Sequence, residues 1–206
     1  MDIEEFNNFL NSETTWRKKE ITYFNSLIYK ESNYEKEILI KYGILALYSH
    51  FEGFYKAAIY KYISLIVSKN LDLTEINLNL LTVIIRKKYE LQTNRLFEHD
   101  KKLIEALLSN KSLDHFELKE FESIKDLDGN LNDSTLKSIL SKIGIDNAEL
   151  IKSCRKANWL VKTRNQIAHG RNCSIGYTQF IELKIYVEEM ITMFSEILSI
   201  KSLEFE

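Results

Sequence analysis

The chain has 206 residues, enough for one sizeable core or for one core with an appended helical piece. Hydrophobic content of 45% and charged content of 28% are ordinary for a globular protein, and no run of about 18 apolar residues is available to cross a membrane. The net charge of −2 supplies no overall pull toward nucleic acid, and the 2 cysteines, Cys154 and Cys173, lack metal-ligand spacing.

There is no proline, so nothing forbids long helices, and only 6 glycines are available for tight β-turns. Asp2 to about Tyr29 reads as a helix with Ile3, Phe6, Phe9 and Leu10 on one stripe. Tyr34 to about Lys69 reads as a long central helix. Its seam of Ile44, Tyr48, Phe51, Tyr55, Ala58, Tyr62 and Leu65 alternates steps of four and three. A second stripe on it, Gly43, Ala46, His50, Gly53 and Ala57, is mostly small and admits either a close helix or a ligand. Residues from about 71 to 128 are the least periodic and read as a helical insertion, with helices over Leu80–Asn94, Lys101–Leu108 and Phe116–Lys125. Asp126 to Asn130 is a loop; Asn132 or Asp133 then caps a short helix ending near Gly144. Asp146 or Asn147 starts the next helix, which carries Arg164 and His169. Tyr177 to about Ser199 is the last, with Phe180, Leu183, Val187, Met190, Phe194 and Ile197 in three-four alternation. The expectation is an all-α antiparallel bundle over residues 1–206, one domain with a helical insertion in its middle.

The chemistry concentrates in Lys162-Thr163-Arg164-Asn165-Gln166-Ile167-Ala168-His169-Gly170. Asn165 and His169 are four apart and share a helical face; Arg164 is one position round. Gly170 reads as a helix stop that leaves His169 in the last turn. A cation that holds phosphate beside a histidine that moves protons is the minimum equipment for metal-free RNA cleavage. Asn165 either orients His169 or bonds backbone at the helix end. No acidic residue occurs between Glu149 and Glu182, whereas Lys152, Arg155, Lys156, Lys162, Arg164 and Arg171 do, a locally basic strip suited to phosphate.

Arg164 and His169, with Asn after the Arg and Gly after the His, resemble the Arg-x4-6-His signature of the HEPN superfamily (higher eukaryotes and prokaryotes nucleotide-binding). Tyr48-Ser49-His50-Phe51-Glu52-Gly53-Phe54 resembles an early-helix segment of its MAE-type and RiboL-PSP-type branches. Gly129 to Leu136, followed by Ile143-Gly144-Ile145, resembles the element that precedes the Arg-Asn in the MAE-type branch. The resemblance implies a helical bundle that dimerises so that two motifs form one composite ribonuclease site. It implies Arg164, His169 and Asn165 as catalytic residues, with Glu52 and His50 as auxiliary candidates. Lys162, Arg171, Lys156 and Arg155 are expected to hold RNA phosphates. It implies a toxin or antiviral role, with a neutralising antitoxin as a possible further partner.

The alternative is a non-catalytic RNA-binding or protein-interaction module of the same fold. His50 and Glu52 also have plain readings, as a satisfied core histidine and as an interface carboxylate. No His-Glu-x-x-His and no paired cysteines occur, and Asp126, Asp128 and Asn130 lack the later Glu of a calcium loop, so neither a metal nor another cofactor is expected. The acidic start, Met1-Asp2-Ile3-Glu4-Glu5, is not followed by a signal-peptide core, which leads to a cytoplasmic expectation.

Overall fold

The computed structural model describes residues 1–69, 71, 75–88 and 129–205, with the backbone alone at 86–88. Among these residues every regular element is helical. In chain order they are α1 (Ile3–Lys30), α2 (Asn33–Ser68), α3 (Leu78–Lys88), α4 (Asp133–Lys142), α5 (Ala148–Ser153), α6 (Ala157–Ala168) and α7 (Tyr177–Ser202). Short 3₁₀ turns, Cys154–Lys156 and Leu203–Phe205, follow α5 and α7. The expected helices over Lys101–Leu108 and Phe116–Lys125 lie outside the described residues.

Local chemistry accounts for three of the helix starts. The Asp2 side chain accepts the Glu5 N–H at 2.7 Å, Asn132 accepts that of Thr135 at 2.9 Å, and Asn147 accepts that of Leu150 at 2.9 Å. All seven residues of the expected α2 seam are buried, and α2 packs against α1, α6 and α7. Around it the core is aromatic: Tyr55 stacks on Phe194 of α7 with ring centroids 4.2 Å apart, and Phe51 leans on Tyr186 at 6.1 Å.

The small stripe on α2 is where α1 comes close. A Cβ on Gly43 would stand 2.7 Å from Phe180, 3.0 Å from Phe24 and 3.2 Å from Ile28. Only a residue without a side chain lets these three meet α2. Alongside runs an open groove of about 1030 Å³ whose walls include Trp16, Phe24, Leu47, His50 and Phe180.

One expectation needs correction. The helix starting at Asn147 does not run unbroken to His169: it tightens into the 3₁₀ turn at Cys154–Lys156 and resumes as the twelve-residue α6. A 3₁₀ turn eclipses residues three apart, so Cys154 and Ala157 both point into the core. Burial pushes the Cys154 thiol up to about 11, which leaves it a small apolar filler; Cys154 and Cys173 are both free. No described helix is long and apolar enough to cross a membrane.

Candidate functional site

The motif sits on α6, with one side against α2 and the helix end in solvent. Leu160, Val161 and Thr163 are buried, which anchors the helix and turns Arg164 along the α2 boundary. The end is a Schellman motif. Gly170 donates to the Ile167 carbonyl at 3.0 Å and Arg171 to that of Gln166 at 2.9 Å. Gly170 takes φ +67°, a left-handed conformation that favours glycine. His169 is therefore the cap residue, one position past the last helical turn. Its side chain is exposed, and no hydrogen bond from its imidazole is found among the described residues.

Arg164 is held from three sides. Its Nη1 donates to Asn165 Oδ1 at 2.7 Å. Its Nη2 lies 3.9 Å from Glu52 Oε2, while Glu52 Oε1 takes Lys56 Nζ at 3.0 Å, so one carboxylate bridges two cations. Its guanidinium lies over the Tyr48 ring, 3.9 Å from the centroid. The Tyr48 hydroxyl accepts the Leu131 N–H at 3.3 Å and donates to Asn130 Oδ1 at 3.4 Å. Burial, above all, raises the Tyr48 phenol above its ordinary range, so it stays a neutral donor. The Asp133 N–H donates to Asn158 Oδ1 at 3.0 Å, which ties the same turn to the start of α6. The three sequence motifs thus meet in one place.

Helical geometry sorts the remaining candidates. Tyr48 and Glu52 are four apart and share a face of α2; His50 is two from each, about 200° round the helix. It faces α1, with Nε2 3.5 Å from Glu20 and its ring edge-on to Trp16 at 5.5 Å. The structure does not bring His50 to Arg164, although it does bring Glu52. Burial lowers the His50 pKa, the Arg17 charge acts the same way, and Glu20 opposes both.

Asn165 meets neither expectation, because its side-chain oxygen receives Arg164 instead of His169 or a free backbone group. Lys162 is exposed and seven residues from His169, so the two share a ridge about two turns apart. Arg155 and Arg171 are exposed. Lys156 turns toward α7, with Nζ 3.4 Å from the Glu182 carbonyl and 5.7 Å from the Tyr186 ring centroid.

Sequence reasoning gave little weight to Tyr48 and passed over Lys56. The signal present for both was the spacing Tyr48, Glu52, Lys56, one face at steps of four. It also passed over Arg17 on α1, which is buried at 5% exposure between Trp16 and Phe54 and pairs with Glu13 one turn back. Among the described residues no group of three or more His, Cys, Asp or Glu side chains is placed to hold a metal ion.

The family model described as RiboL-PSP-HEPN matches residues 12–199, a span that contains all three motifs. No curated protein and no solved structure matches the chain. Of the two branches that the early-helix segment resembles, the match selects one. The helical bundle and the match over nearly the whole length together place the chain in the RiboL-PSP-HEPN family of the HEPN superfamily.

Proposed function

We propose that this protein is a metal-independent endoribonuclease, active as a homodimer in which two α6 helices bring their motifs to one composite site. The observation that carries the reading is the setting of the motif. Arg164 is a cation braced by Tyr48, Glu52 and Asn165, and His169 is an exposed imidazole at a capped helix end about one turn away.

Such a pair suits transesterification of RNA. The 2′-hydroxyl oxygen bonds to phosphorus, the bond from phosphorus to the 5′-oxygen breaks, and the products are a 2′,3′-cyclic phosphate and a 5′-hydroxyl. One His169 takes the proton from the 2′-hydroxyl, and the second His169, protonated, gives one to the departing 5′-oxygen. Arg164 stabilises the charge that builds on the phosphorane oxygens, as a fixed cation does in a sheltered site. Lys162, on the ridge of His169, and Arg171, two residues past it, would with Arg155 and Lys156 track neighbouring phosphates in a salt-dependent way. Asn165 holds Arg164, and an isologous contact would bring each motif to its twin. In the cell this activity fits a toxin or an antiviral effector that arrests growth by cutting RNA, with an antitoxin as its counterpart.

The test is cleavage of total RNA in excess EDTA, with mass spectrometry of the fragment ends. Cyclic phosphate ends are expected, together with losses of about 100-fold or more in Arg164→Ala and His169→Ala proteins that keep their helical circular dichroism. Full activity in a folded His169→Ala protein, or activity restored by magnesium with 3′-hydroxyl ends, overturns the mechanism. Light scattering that finds only monomer at micromolar concentration overturns the composite site.

A further inference from the structure

The contacts around Arg164 divide into those that fix its charge and those that fix its place. Glu52 is 3.9 Å away, 27% exposed and shared with Lys56, so it is a loose tether. Asn165 is its chain neighbour and moves with it. Tyr48 differs from both. Its ring is 1% exposed, it belongs to the rigid seam of α2, and its far end is tied by the Leu131 N–H and Asn130. The guanidinium rests on that ring at 3.9 Å. A buried aromatic ring, held at both edges, supplies a flat floor that neither a flexible acid nor a neighbouring amide provides.

We infer that Tyr48 is the positioning residue for Arg164: its ring, buried in the α2 seam, sets the height and tilt of the guanidinium. This rests on the reading of Arg164 as the cation that meets the reacting phosphate. On that reading Tyr48 touches no substrate and acts only through Arg164. The division of labour within the tyrosine is specific. The ring serves Arg164, whereas the hydroxyl serves the fold by satisfying a buried N–H. Activity and stability therefore separate at this one side chain.

Three variants test this: Tyr48→Phe, Tyr48→Leu and, should the leucine protein fail to fold, Tyr48→Met. The phenylalanine protein is expected to melt earlier yet keep kcat within about threefold, because the floor remains. The leucine or methionine protein is expected to lose about tenfold or more in kcat with KM within about threefold, since the interaction lost is with the transition state. In an Arg164→Lys background the same loss should largely vanish, because a compact ammonium does not stack as the planar guanidinium does. The Arg164 side-chain proton signals should carry an upfield ring-current shift that survives in the phenylalanine protein and disappears in the leucine protein, a readout independent of cleavage. Undiminished kcat in a folded leucine or methionine protein overturns the positioning role, as does an equal loss in the Arg164→Lys background. Full activity of His169→Ala removes the proposed His169 mechanism instead, and the ring-current shift then still decides where Arg164 rests.

Discussion

Tyr48 and Glu52, on one face of α2, meet α6 and the turn before α4 through polar and charged contacts, and Lys56 pairs with Glu52 on the same face. Gly43, Ala46, His50 and Gly53, on the other, face α1, which packs closely at Gly43. The first face leaves its key groups partly open, with Arg164 at 25% and Glu52 at 27% exposure. The second includes Gly43, where α1 and α7 side chains leave no room for a Cβ. A cation that must meet an anion from solvent cannot be fully covered, so its bracing is light and adds little to stability. The packing face has no such constraint and carries stability. Damage on the two faces should therefore show in different measurements.

The largest expected effect is on the packing face. Arg17→Ala removes a guanidinium that lies between Trp16 and Phe54 and leaves Glu13, largely buried, without its cation. A loss of about 3 kcal/mol in urea denaturation is expected, from broken pairing and lost stem packing together. A change below about 1 kcal/mol would mean that this crossing is less tightly coupled than the geometry implies.

Next comes Gly43→Ala, which drives a methyl to within 2.7 Å of Phe180 and should destabilise by about 1–3 kcal/mol. Ten residues on, a Cβ at Gly53 would meet the end of Arg17 at 3.4 Å, an ordinary contact. Gly53→Ala should be neutral or stabilise by up to about 1 kcal/mol, because alanine suits a helix interior better. Thermal melts of the two proteins side by side check the contrast, and neither should change the RNA-cleavage rate at a temperature where both are folded.

On the Arg164 face the pattern should invert. Glu52→Gln removes a partly exposed carboxylate, so stability should shift by less than about 1 kcal/mol. The rate of RNA cleavage should nevertheless change measurably, because Arg164 and Lys56 lose their shared anion. A variant with unchanged kcat and KM would remove Glu52 from the bracing.

The smallest effect is one of pH. His50 has a folded pKa below its unfolded value of about 6.5, so the unfolded chain binds the proton more readily. Stability from neutral His50 is present above about pH 6.5 and is lost as pH falls through the folded value. Acidification from pH 7.5 to 5 should lower the melting temperature more in the native protein than in His50→Gln. Equal slopes would mean that burial does not disfavour the charged imidazole.

What the sequence determined by itself was mostly local. Alternating steps of three and four placed the α2 seam, and all seven of its residues are buried. Asn132 or Asp133, and Asp146 or Asn147, marked two helix starts, of which the structure uses Asn132 and Asn147, and Gly170 marked a stop, because caps and left-handed glycines act within a few residues. Arg164 and His169 stood out as candidates for the same reason, as a short string on one helix. The 3₁₀ turn at Cys154–Lys156 was not legible, because it answers to the packing of Cys154 and Ala157 in the core. Nor was the bond from Tyr48 to Asn130, which spans 82 residues, or the floor that Tyr48 makes for Arg164. His50 and Glu52, two apart on one helix, looked equivalent as candidates until the bundle set which neighbour each one faces. A helix displays all its sides in sequence, and only the packing of α1 and α6 against α2 decided which side faces α1 and which faces Arg164.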